Sequence, residues 1–273
     1  MSSAHFKDKV VVITGATSGI GEACTDVFGQ AGARLVITGR NSEKLNKSSE
    51  RLAQKGFENL AVLADASSEE DNKKMAEAAI EKYGGIDILI NNAGISMRAL
   101  FEEMDLSVFH KVMDTNFWGT VYATKYCLPS ILENKGSIIG VSSINGYRGT
   151  PARTAYTASK YAMNGFFESL RTEVMKRGVH VLVVAPGFTS SNIRNSALNA
   201  EGKSQGESPR DESKMMTSEE VATALMKATQ KRKRDLVLTS QGKLAVFLNK
   251  WMPGFMDGMV YKVMAKEADS PLK

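Results

Sequence analysis

The sequence predicts a doubly wound α/β fold in which helices cover both faces of a seven-stranded parallel sheet. Two observations carry this prediction. First, short runs rich in Val, Ile and Leu alternate along the chain with longer amphipathic stretches, and such alternation is typical of parallel sheets. Second, the short runs lack the polar-apolar alternation of a half-exposed strand, which indicates strands that are buried on both faces.

Each apolar run is five or six residues long, which is an ordinary length for a strand. The predicted strands are Val10–Thr14, Arg34–Thr38, Leu60–Ala64, Ile86–Ile90, Ser137–Val141, His180–Ala185 and Asp235–Thr239. Between these runs, apolar residues recur at helical spacing. The predicted helices are Gly19–Ala31, Ser42–Lys55, Ser68–Lys82, Leu106–Leu132, Thr154–Arg177 and Ser218–Lys231.

The chain is expected to form a single domain covering 1–273, because no linker, repeat or low-complexity tract divides it. A chain of this length buries roughly 70–75% of its unfolded surface and needs no disulfide or metal to hold it together. Cys24 and Cys127 lie far apart and show no paired or metal-type spacing. We therefore expect two buried packing residues in a reducing compartment, and no metal site.

Charge and hydropathy restrict the location and the partners. The N-terminus has no apolar signal-peptide core, and no run of about 18 apolar residues occurs, so a cytoplasmic protein is expected. The net charge of +5 suits an anionic cofactor. The basic run Lys231–Arg234 follows a predicted helix and has no aromatic platform beside it, which favours a solvated surface over a nucleic-acid site.

A glycine-rich turn, Thr14–Gly21, joins the first predicted strand to the first predicted helix. Gly15 permits the tight turn, Gly19 lets the backbone approach a pyrophosphate, and Gly21 allows close packing of helix on strand. The helix N-terminus offers unpaired N–H groups to the phosphates. The turn therefore predicts a dinucleotide site, with the cofactor also expected at Thr17, Ser18 and Ile20.

The end of the second strand bears on the choice of cofactor. An NAD site places a carboxylate about 20 residues after the glycines, to bind the ribose 2′-hydroxyl. Here Gly39 occupies the strand end and Arg40 follows at once. The missing acid and the adjacent base favour a 2′-phosphate, so NADP(H) is preferred over NAD(H). The alternative is a solvated arginine in a loop.

Two further strand ends are expected to contact the cofactor. Asp65, followed by Ala66, ends the third strand and either accepts a hydrogen bond from the adenine amino group or caps the next helix. The serines that follow are better placed to cap. At the end of the fourth strand, Gly94 permits close approach of the cofactor. We expect the preceding Asn92 and Ala93 to contact the cofactor as well.

Tyr156 and Lys160 form the predicted catalytic pair. They lie four residues apart at the start of a helix and so share one face. A nearby ammonium favours the phenolate form of a tyrosine, which lets the phenol exchange a proton near neutral pH. Lys160 is also placed to hold the nicotinamide ribose hydroxyls.

Two more polar residues are candidates at this site. Ser143 ends the fifth strand, where a hydroxyl can hold a substrate oxygen and stabilise developing charge. Ser142 is a poorer candidate, because alternation along a strand sends it to the other face. Asn116 lies within a predicted helix, where asparagine is unfavourable, so we expect a backbone distortion there that holds a water near Lys160.

Taken together, these motifs resemble those of the short-chain dehydrogenase/reductase family over residues 7–240. The matching features are Thr-Gly-x-x-x-Gly-Ile-Gly, Asn-Asn-Ala-Gly, the central Asn, the Ser, the Tyr-x-x-x-Lys pair and a Pro-Gly after the sixth strand. The resemblance implies a Rossmann-type fold. It also implies a catalytic tetrad of Asn116, Ser143, Tyr156 and Lys160.

The resemblance assigns a role to each matching position. It implies that Tyr156 is the acid/base and that Ser143 holds the substrate oxygen. It implies that Lys160 binds the ribose and activates the tyrosine, that Asn116 supports a proton relay, and that Asp65 lies at the adenine. After the sixth strand, the segment implied to approach the nicotinamide comprises Pro186, Gly187, Phe188, Thr189 and Ser191, the last of which is often Thr in the family.

The sequence therefore predicts an oxidoreductase that transfers a hydride between NADP(H) and a carbonyl or secondary alcohol. Reduction of a ketone or aldehyde is the expected direction, with a small-molecule carbonyl as substrate and a homodimer or homotetramer as the assembly. Trp118, Tyr122 and Phe166 are candidate subunit-contact residues. Two alternatives stay open: a catalytically silent nucleotide-binding regulator, and a membrane-peripheral interaction protein on the same fold.

Loops at the carboxyl ends of the strands are expected to form the substrate pocket. They are Ser96–Leu100, Asn145–Arg153 and a polar segment, 192–217, which is expected to act as a lid. Three arginines in the first two loops either pair with an anionic substrate or are solvated, and the solvated alternative is preferred. They are Arg98, Arg148 and Arg153.

The C-terminal extension, 242–273, is rich in methionine and aromatic residues, and Pro253 is expected to break it. Phe247, Trp251 and Phe255 fit one apolar helix face. That face could pack on the core as a pocket lid, form a subunit contact, or touch a membrane. Core packing with a lid role is the preferred expectation.

Overall fold

The computed structural model of the protein describes residues 5–190, 193, 196–206, 215–267 and 270–272. Within these residues, the strands are β1 (Val10–Ile13), β2 (Arg34–Gly39), β3 (Asn59–Leu63), β4 (Ile88–Asn91), β5 (Ser137–Val141), β6 (His180–Ala185) and β7 (Asp235–Val237). They form one parallel sheet in the order β3-β2-β1-β4-β5-β6-β7. The predicted seven-stranded, doubly wound sheet is confirmed.

The helices of the described residues follow the predicted alternation. They are α1 (Gly19–Gln30), α2 (Ser42–Gln54), α3 (Glu69–Tyr83), α4 (Leu106–Met113), α5 (Gly119–Glu133), α6 (Thr154–Val174), α7 (Ser218–Gln230), α8 (Ser240–Trp251) and α9 (Pro253–Ala265). Side-chain caps fix several starts. The Ser68 hydroxyl accepts from the Asp71 N–H at α3, and Thr217 with Glu220 forms a capping box at α7.

The order of the strands creates a crevice beside β1. This strand pairs with β2 on one side and β4 on the other, so that Val12 lies opposite both Val36 and Leu89. From β1 the chain adds β2 and β3 on one side of the sheet and then returns to add β4 to β7 on the other side. In open α/β sheets, ligands bind at the carboxyl ends of the strands at such a reversal.

Alternation along the strands supplies one apolar core on each face of the sheet. In β1, Val11 and Ile13 face one cluster while Val10 and Val12 face the other. The first cluster is completed by α1, α2 and α7, and the second by α3, α5 and α6. Strands covered in this way carry apolar residues on both faces, which explains the near-continuous apolar runs in the sequence.

Both cysteines lie in these cores, as predicted. Cys24 belongs to the first cluster and Cys127 to the second, and both are fully buried. Burial raises the pKa of each thiol to about 12. Neither thiol is therefore reactive at neutral pH.

The predicted helix 106–132 is interrupted where a distortion is expected. Between α4 and α5, Asp114–Trp118 forms a π-helical turn that contains Asn116. A Cβ at Gly119 would lie 2.7 Å from the Ala66 carbonyl oxygen, so the chain passes very close to the end of β3 at this point. The expected backbone distortion is confirmed, and π-helical turns of this kind are frequent at functional sites.

The C-terminal extension corrects one expectation. The break at Pro253 is confirmed, because Pro253 occupies the first turn of α9. The preferred placement of the aromatic residues in the core is wrong: Phe247, Trp251 and Phe255 are 60%, 67% and 56% exposed. Of the methionines, Met256 and Met264 are buried.

Bilayer-spanning helices do not occur among the described residues, since none there is both long and apolar enough for that role.

Close packing of α6 on the sheet generates a testable prediction. A Cβ at Gly140 in β5 would lie 2.1 Å from the ring of Phe167 in α6, so Gly140→Ala should force the two elements apart. We expect the free energy of unfolding, measured by urea denaturation, to fall by about 1–3 kcal/mol. Gly165→Ala is the matched control, because a Cβ there meets open space on α6. That change should raise stability by up to about 1 kcal/mol. Equal effects of the two variants would contradict the packing argument.

Candidate active site

The glycine-rich turn forms a tight cradle between β1 and α1. Gly15 and Gly19 adopt positive φ angles of 64° and 56°, which favour glycine. A Cβ at Gly21 would lie 2.2 Å from the Gly15 carbonyl oxygen, and one at Gly15 would lie 2.9 Å from Ala93 Cα. All three predicted glycines are therefore required by the backbone. Ser18 precedes α1 and makes no capping hydrogen bond, while the free N–H groups of the first helical turn point out of the cradle.

Hydrogen bonds from the end of β4 lock this cradle in place. The Asn92 amide donates to the carbonyl oxygens of Thr14 (2.9 Å) and Gly15 (3.0 Å). In return, the Thr14 hydroxyl accepts from the N–H groups of Asn92 and Ala93, each at 3.0 Å. Sequence reasoning missed the role of Thr14. The available signal was a hydroxyl at a strand end that is otherwise wholly apolar.

The end of β2 lies against the glycine-rich turn. A Cβ at Gly39 would lie 2.7 Å from Cγ2 of Thr17, so a side chain at this position would require the Thr17 side chain to move. Arg40 follows on the exposed surface. Its guanidinium is close enough to the Asp65 carboxyl to act on it electrostatically. The preference for a 2′-phosphate stays a prediction.

Asp65 is held in a local turn after β3. Its Oδ1 accepts from the N–H (2.9 Å) and the hydroxyl (2.7 Å) of Ser67. Burial alone would raise the pKa of the Asp65 carboxyl, but these hydrogen bonds and the charges of Arg40 and Lys111 lower it below its ordinary value. Ser68, and not Asp65, caps α3. The adenine contact stays a prediction.

Lys160 is the buried cation of the site. Its side chain is in the core, with the residue only 3% exposed, and Nζ donates to the Val141 carbonyl oxygen at 2.9 Å. Nζ also lies 5.7 Å from the centroid of the Tyr156 ring. Burial lowers the pKa of the Lys160 ammonium to about 8. The predicted helix-face pairing of Tyr156 and Lys160 is present.

Asn116 lies behind this pair in the π-helical turn and is fully buried. Its Oδ1 accepts from the Ile95 N–H (2.8 Å), and its Nδ2 donates to the Ile95 carbonyl (2.9 Å) and to Oγ of Ser159 (2.9 Å). Both amide hydrogens are thus used by the protein. A water at this point would therefore have to be bound by the main chain of the π-helical turn. The water-holding role stays a prediction.

Ser159 is a residue that sequence reasoning missed. Its buried hydroxyl accepts from Asn116 and donates to the Tyr156 carbonyl oxygen at 2.7 Å. The π-helical turn is therefore connected directly to the first turn of α6, which carries the tyrosine. A hydroxyl on the buried face of that helix was the signal that could have identified it.

One cavity of about 140 Å³ brings together nine of the predicted site residues. Ser143, Tyr156 and Lys160 line it together, whereas Asn116 supports it from behind. The Ser143 hydroxyl accepts from the Asn145 N–H at 3.1 Å. Predicted cofactor residues in the lining are Ile20, Asn92, Gly94, Pro186, Gly187 and Thr189.

The segment after β6 closes one side of the cavity. Thr189 is buried, and Phe188, which also lines the cavity, is 49% exposed. Ile193 is a further lining residue. Ser191 lies outside the described residues. In the predicted lid, Leu198 forms isolated bridges with Met97 and Ser204, which lays this part of the segment against the 96–100 loop. A lid function stays a prediction.

The preferred interpretation of the three loop arginines as solvated is wrong. Arg153 lines the cavity and donates to the Ser96 hydroxyl at 2.6 Å. Arg98 forms an ion pair with Glu267 (3.6 Å), and Arg148 forms one with Asp257 (2.7 Å). The last two side chains are only 9% and 17% exposed, because the C-terminal extension covers them.

These features define a nucleotide-binding oxidoreductase site, and comparison with known proteins places the chain in a family. The family model for short chain dehydrogenases matches residues 9–202. The chain is 36% identical to dehydrogenase/reductase SDR family member 7B of Mus musculus, over 98% of this chain and 83% of that protein. It is 38% identical to the Xenopus tropicalis protein of the same name, over 92% and 84%. The chain belongs to the short-chain dehydrogenase/reductase family.

A solved structure is similar in fold. It is a short-chain dehydrogenase/reductase from Burkholderia phymatum in complex with NAD, with a TM-score of 0.83 and 24% identity. The similarity covers 92% of this chain and 95% of that one. A Bacillus subtilis protein described as the uncharacterized oxidoreductase YxnA is 33% identical, over 97% of this chain and 76% of its own length. The predicted family and fold are both confirmed.

The buried ammonium should leave a signature in the pH dependence of stability. Burial lowers the pKa of Lys160 to about 8 in the folded protein, against an ordinary value of 10.5, so the unfolded chain binds more protons between these values. Stability must therefore rise with pH in this window. From pH 7 to about pH 9.5, wild type should gain roughly 2 kcal/mol relative to Lys160→Met in urea denaturation of the ligand-free protein.

Lys125→Met is the matched control, because Lys125 is exposed on α5. Its stability difference from wild type should stay constant over the same pH range. A constant difference for Lys160→Met as well would contradict the burial of a charged lysine.

Proposed function

We propose that this protein reduces a ketone or aldehyde to an alcohol with NADPH, through proton donation by Tyr156. The observation that carries the proposal is the buried Lys160 ammonium beside the Tyr156 ring, in a cavity that Ser143 also lines. A buried cation is retained against its desolvation cost, and such groups occur preferentially at functional sites. Because Tyr156 and Lys160 share one helix face, both groups can act on the same reacting atom.

Tyr156 would donate the proton, and Lys160 would stabilise the negative charge that then remains on the tyrosine. Since the pKa of Lys160 is about 8, most of its population carries the positive charge at pH 7. That charge stabilises the phenolate left on Tyr156 after the proton has moved to the substrate oxygen. The hydrogen bond to the Val141 carbonyl holds the ammonium in place during this change.

Ser143 is suited to hold the substrate oxygen. Its oxygen already accepts from the Asn145 N–H, so its own hydrogen can be donated to the carbonyl. A donor fixed by the backbone costs no reorganisation when negative charge develops on that oxygen. Ser142 is less suitable, because its hydroxyl is directed at the Lys160 carbonyl oxygen.

The cradle fits a dinucleotide. Two glycines in the left-handed region, a third that excludes any Cβ, and a free helix N-terminus suit a pyrophosphate. The bound nicotinamide would supply the hydride. On the protein side, Gly94 and Gly187 line the cavity where side chains would narrow it, and Lys160 is placed to bind the ribose.

Preference for NADP(H) is supported by the end of β2. Gly39 carries no carboxylate that could bind an NAD ribose, and Arg40 is exposed at the next position. The NAD bound in the Burkholderia phymatum structure belongs to a protein only 24% identical, and its choice of cofactor does not carry over.

Replacement of the proposed acid tests the mechanism. Tyr156→Phe removes the proton donor and should lower kcat for carbonyl reduction by about 10²- to 10⁴-fold, followed as NADPH absorbance with a panel of ketones and aldehydes. The affinity for NADPH should change little. Tyr161→Phe is the matched control on the same helix. The Tyr161 hydroxyl donates to the Tyr147 carbonyl oxygen and does not line the cavity.

Two results would contradict the mechanism. One is a Tyr156→Phe enzyme that keeps the wild-type rate on a substrate of the panel. The other is an equal loss of rate in Tyr161→Phe, which would indicate general disturbance of α6. If no carbonyl of any class is reduced by wild type although NADPH binds, the silent nucleotide-binding alternative replaces the proposal.

The cofactor preference has a separate test. Arg40→Ala should weaken NADPH binding by about 10- to 100-fold, the range expected for loss of a charge-assisted hydrogen bond, and leave NADH binding nearly unchanged. Titration of each nucleotide by protein fluorescence measures both. Lys44→Ala removes a neighbouring exposed cation and should alter neither affinity. Equal affinity of wild type for the two nucleotides would overturn the preference.

A further inference from the structure

We propose that α8 and α9 dock on the surface of an anionic lipid bilayer. This inference goes beyond carbonyl reduction and does not depend on it. The starting observation is a group of large apolar side chains on the two helices, each at least half exposed. They are Leu244, Phe247, Trp251, Met252, Phe255, Tyr261 and Val263. Large apolar side chains exposed in this number on two adjacent helices are typical of an interaction site.

The outward direction of α8 is fixed by contacts on its opposite face. Asn249 donates to the Tyr147 carbonyl (2.9 Å) and accepts from Arg148 (3.1 Å). Gly242 lies so close to Ile144 that a Cβ would meet its side chain at 2.6 Å. Leu244, Phe247 and Trp251 recur at spacings of three and four residues on the other side of the helix. That face therefore points away from the body of the protein.

The charges of the segment leave it with a net positive charge. Residues 240–267 contain two acidic side chains, and each is engaged by an arginine of the body: Asp257 by Arg148, and Glu267 by Arg98. The four lysines of the segment are exposed on the surface. They are Lys243, Lys250, Lys262 and Lys266. The acids are thus compensated from within, and the outer surface keeps a positive charge.

The pattern fits a helix lying in a membrane interface. Such helices combine Trp, Phe and Leu on one side with flanking lysines that meet anionic headgroups. On α8, Lys243 and Lys250 are seven residues apart and so follow the same flank of the apolar stripe. Trp251 carries the Lys250 ammonium over its ring at 5.8 Å, so apolar and cationic groups meet at one edge.

A second copy of the chain is a poorer occupant of the face. In a two-fold contact the same patch meets itself, so that lysines would approach lysines with no uncompensated acid in the segment to pair with them. Anionic headgroups complement the same charges. The docked helix would lie beside the turn that follows Ser143, since its opposite face contacts Ile144.

Vesicle flotation with the full chain tests the proposal. Wild type should float with vesicles containing about 30% phosphatidylserine in phosphatidylcholine, remain unbound with phosphatidylcholine alone, and lose most binding when NaCl rises from about 0.1 M to about 0.5 M. Phe247→Asp/Trp251→Asp should lower the bound fraction at least about tenfold, and so should Lys243→Glu/Lys250→Glu. Lys73→Glu/Lys82→Glu on α3 is the matched charge control and should bind like wild type.

Tryptophan fluorescence gives a second readout, because the chain contains only Trp118 and Trp251. Trp118→Phe leaves Trp251 as the reporter, and its emission should move to shorter wavelength when anionic vesicles are added. Trp251→Phe leaves Trp118, whose emission should not move. Far-UV circular dichroism and the thermal midpoint show that each variant remains folded.

Three outcomes would overturn the proposal. The first is no flotation of wild type with anionic vesicles. The second is flotation that the apolar and lysine variants leave unchanged. The third is a shift of Phe247→Asp/Trp251→Asp from a larger to a smaller species in size-exclusion chromatography with light scattering, which would assign the face to a second copy of the chain.

Discussion

The geometry of the site depends on one interaction, the hydrogen bond from the buried Lys160 ammonium to the Val141 carbonyl at the end of β5. This bond fixes a cation within 5.7 Å of the Tyr156 ring centroid. Burial makes the charge costly, as the lowered pKa of about 8 shows. A neutral residue would suit the core better. The fold therefore retains, at the head of its longest helix, a group whose value lies in chemistry and not in stability.

The position of that helix is set by close backbone packing. Gly140 admits the Phe167 ring against β5, and Gly146 lies where a Cβ would meet the Lys160 carbonyl oxygen at 3.0 Å. At the other side of the crevice, Gly15 and Gly21 bring α1 onto the end of β1. Small residues at these contacts bring the glycine-rich turn and the N-terminal part of α6 to the same sheet edge. The hydrogen bonds of Ser159 then couple the π-helical turn to α6.

Local patterns in the sequence predict most of the fold and much of the candidate site. The strands follow from buried apolar runs, and the distortion at Asn116 follows from an asparagine within a helix. Prediction failed where a side chain finds its partner far along the chain. Arg148 pairs with Asp257, 109 residues away, and nothing in the sequence around either residue indicates the other. Ser159 was missed for a related reason, because its partner lies in another helix.

The same kind of long-range ion pair determines how much negative charge the C-terminal extension leaves uncompensated. Considered alone, residues 240–267 carry charges of both signs on two helices, the second of them rich in methionine, a composition that suits packing on the core. Arg98 and Arg148 change this balance by engaging both acids from the body of the protein. Anchoring the helix pair thus also pairs both of its acids: Glu267 is buried against Arg98, and the exposed Asp257 is bound by Arg148. What remains is an apolar stripe on α8 with lysines at its flank, so the contacts that attach the extension also leave its exposed face apolar and positively charged.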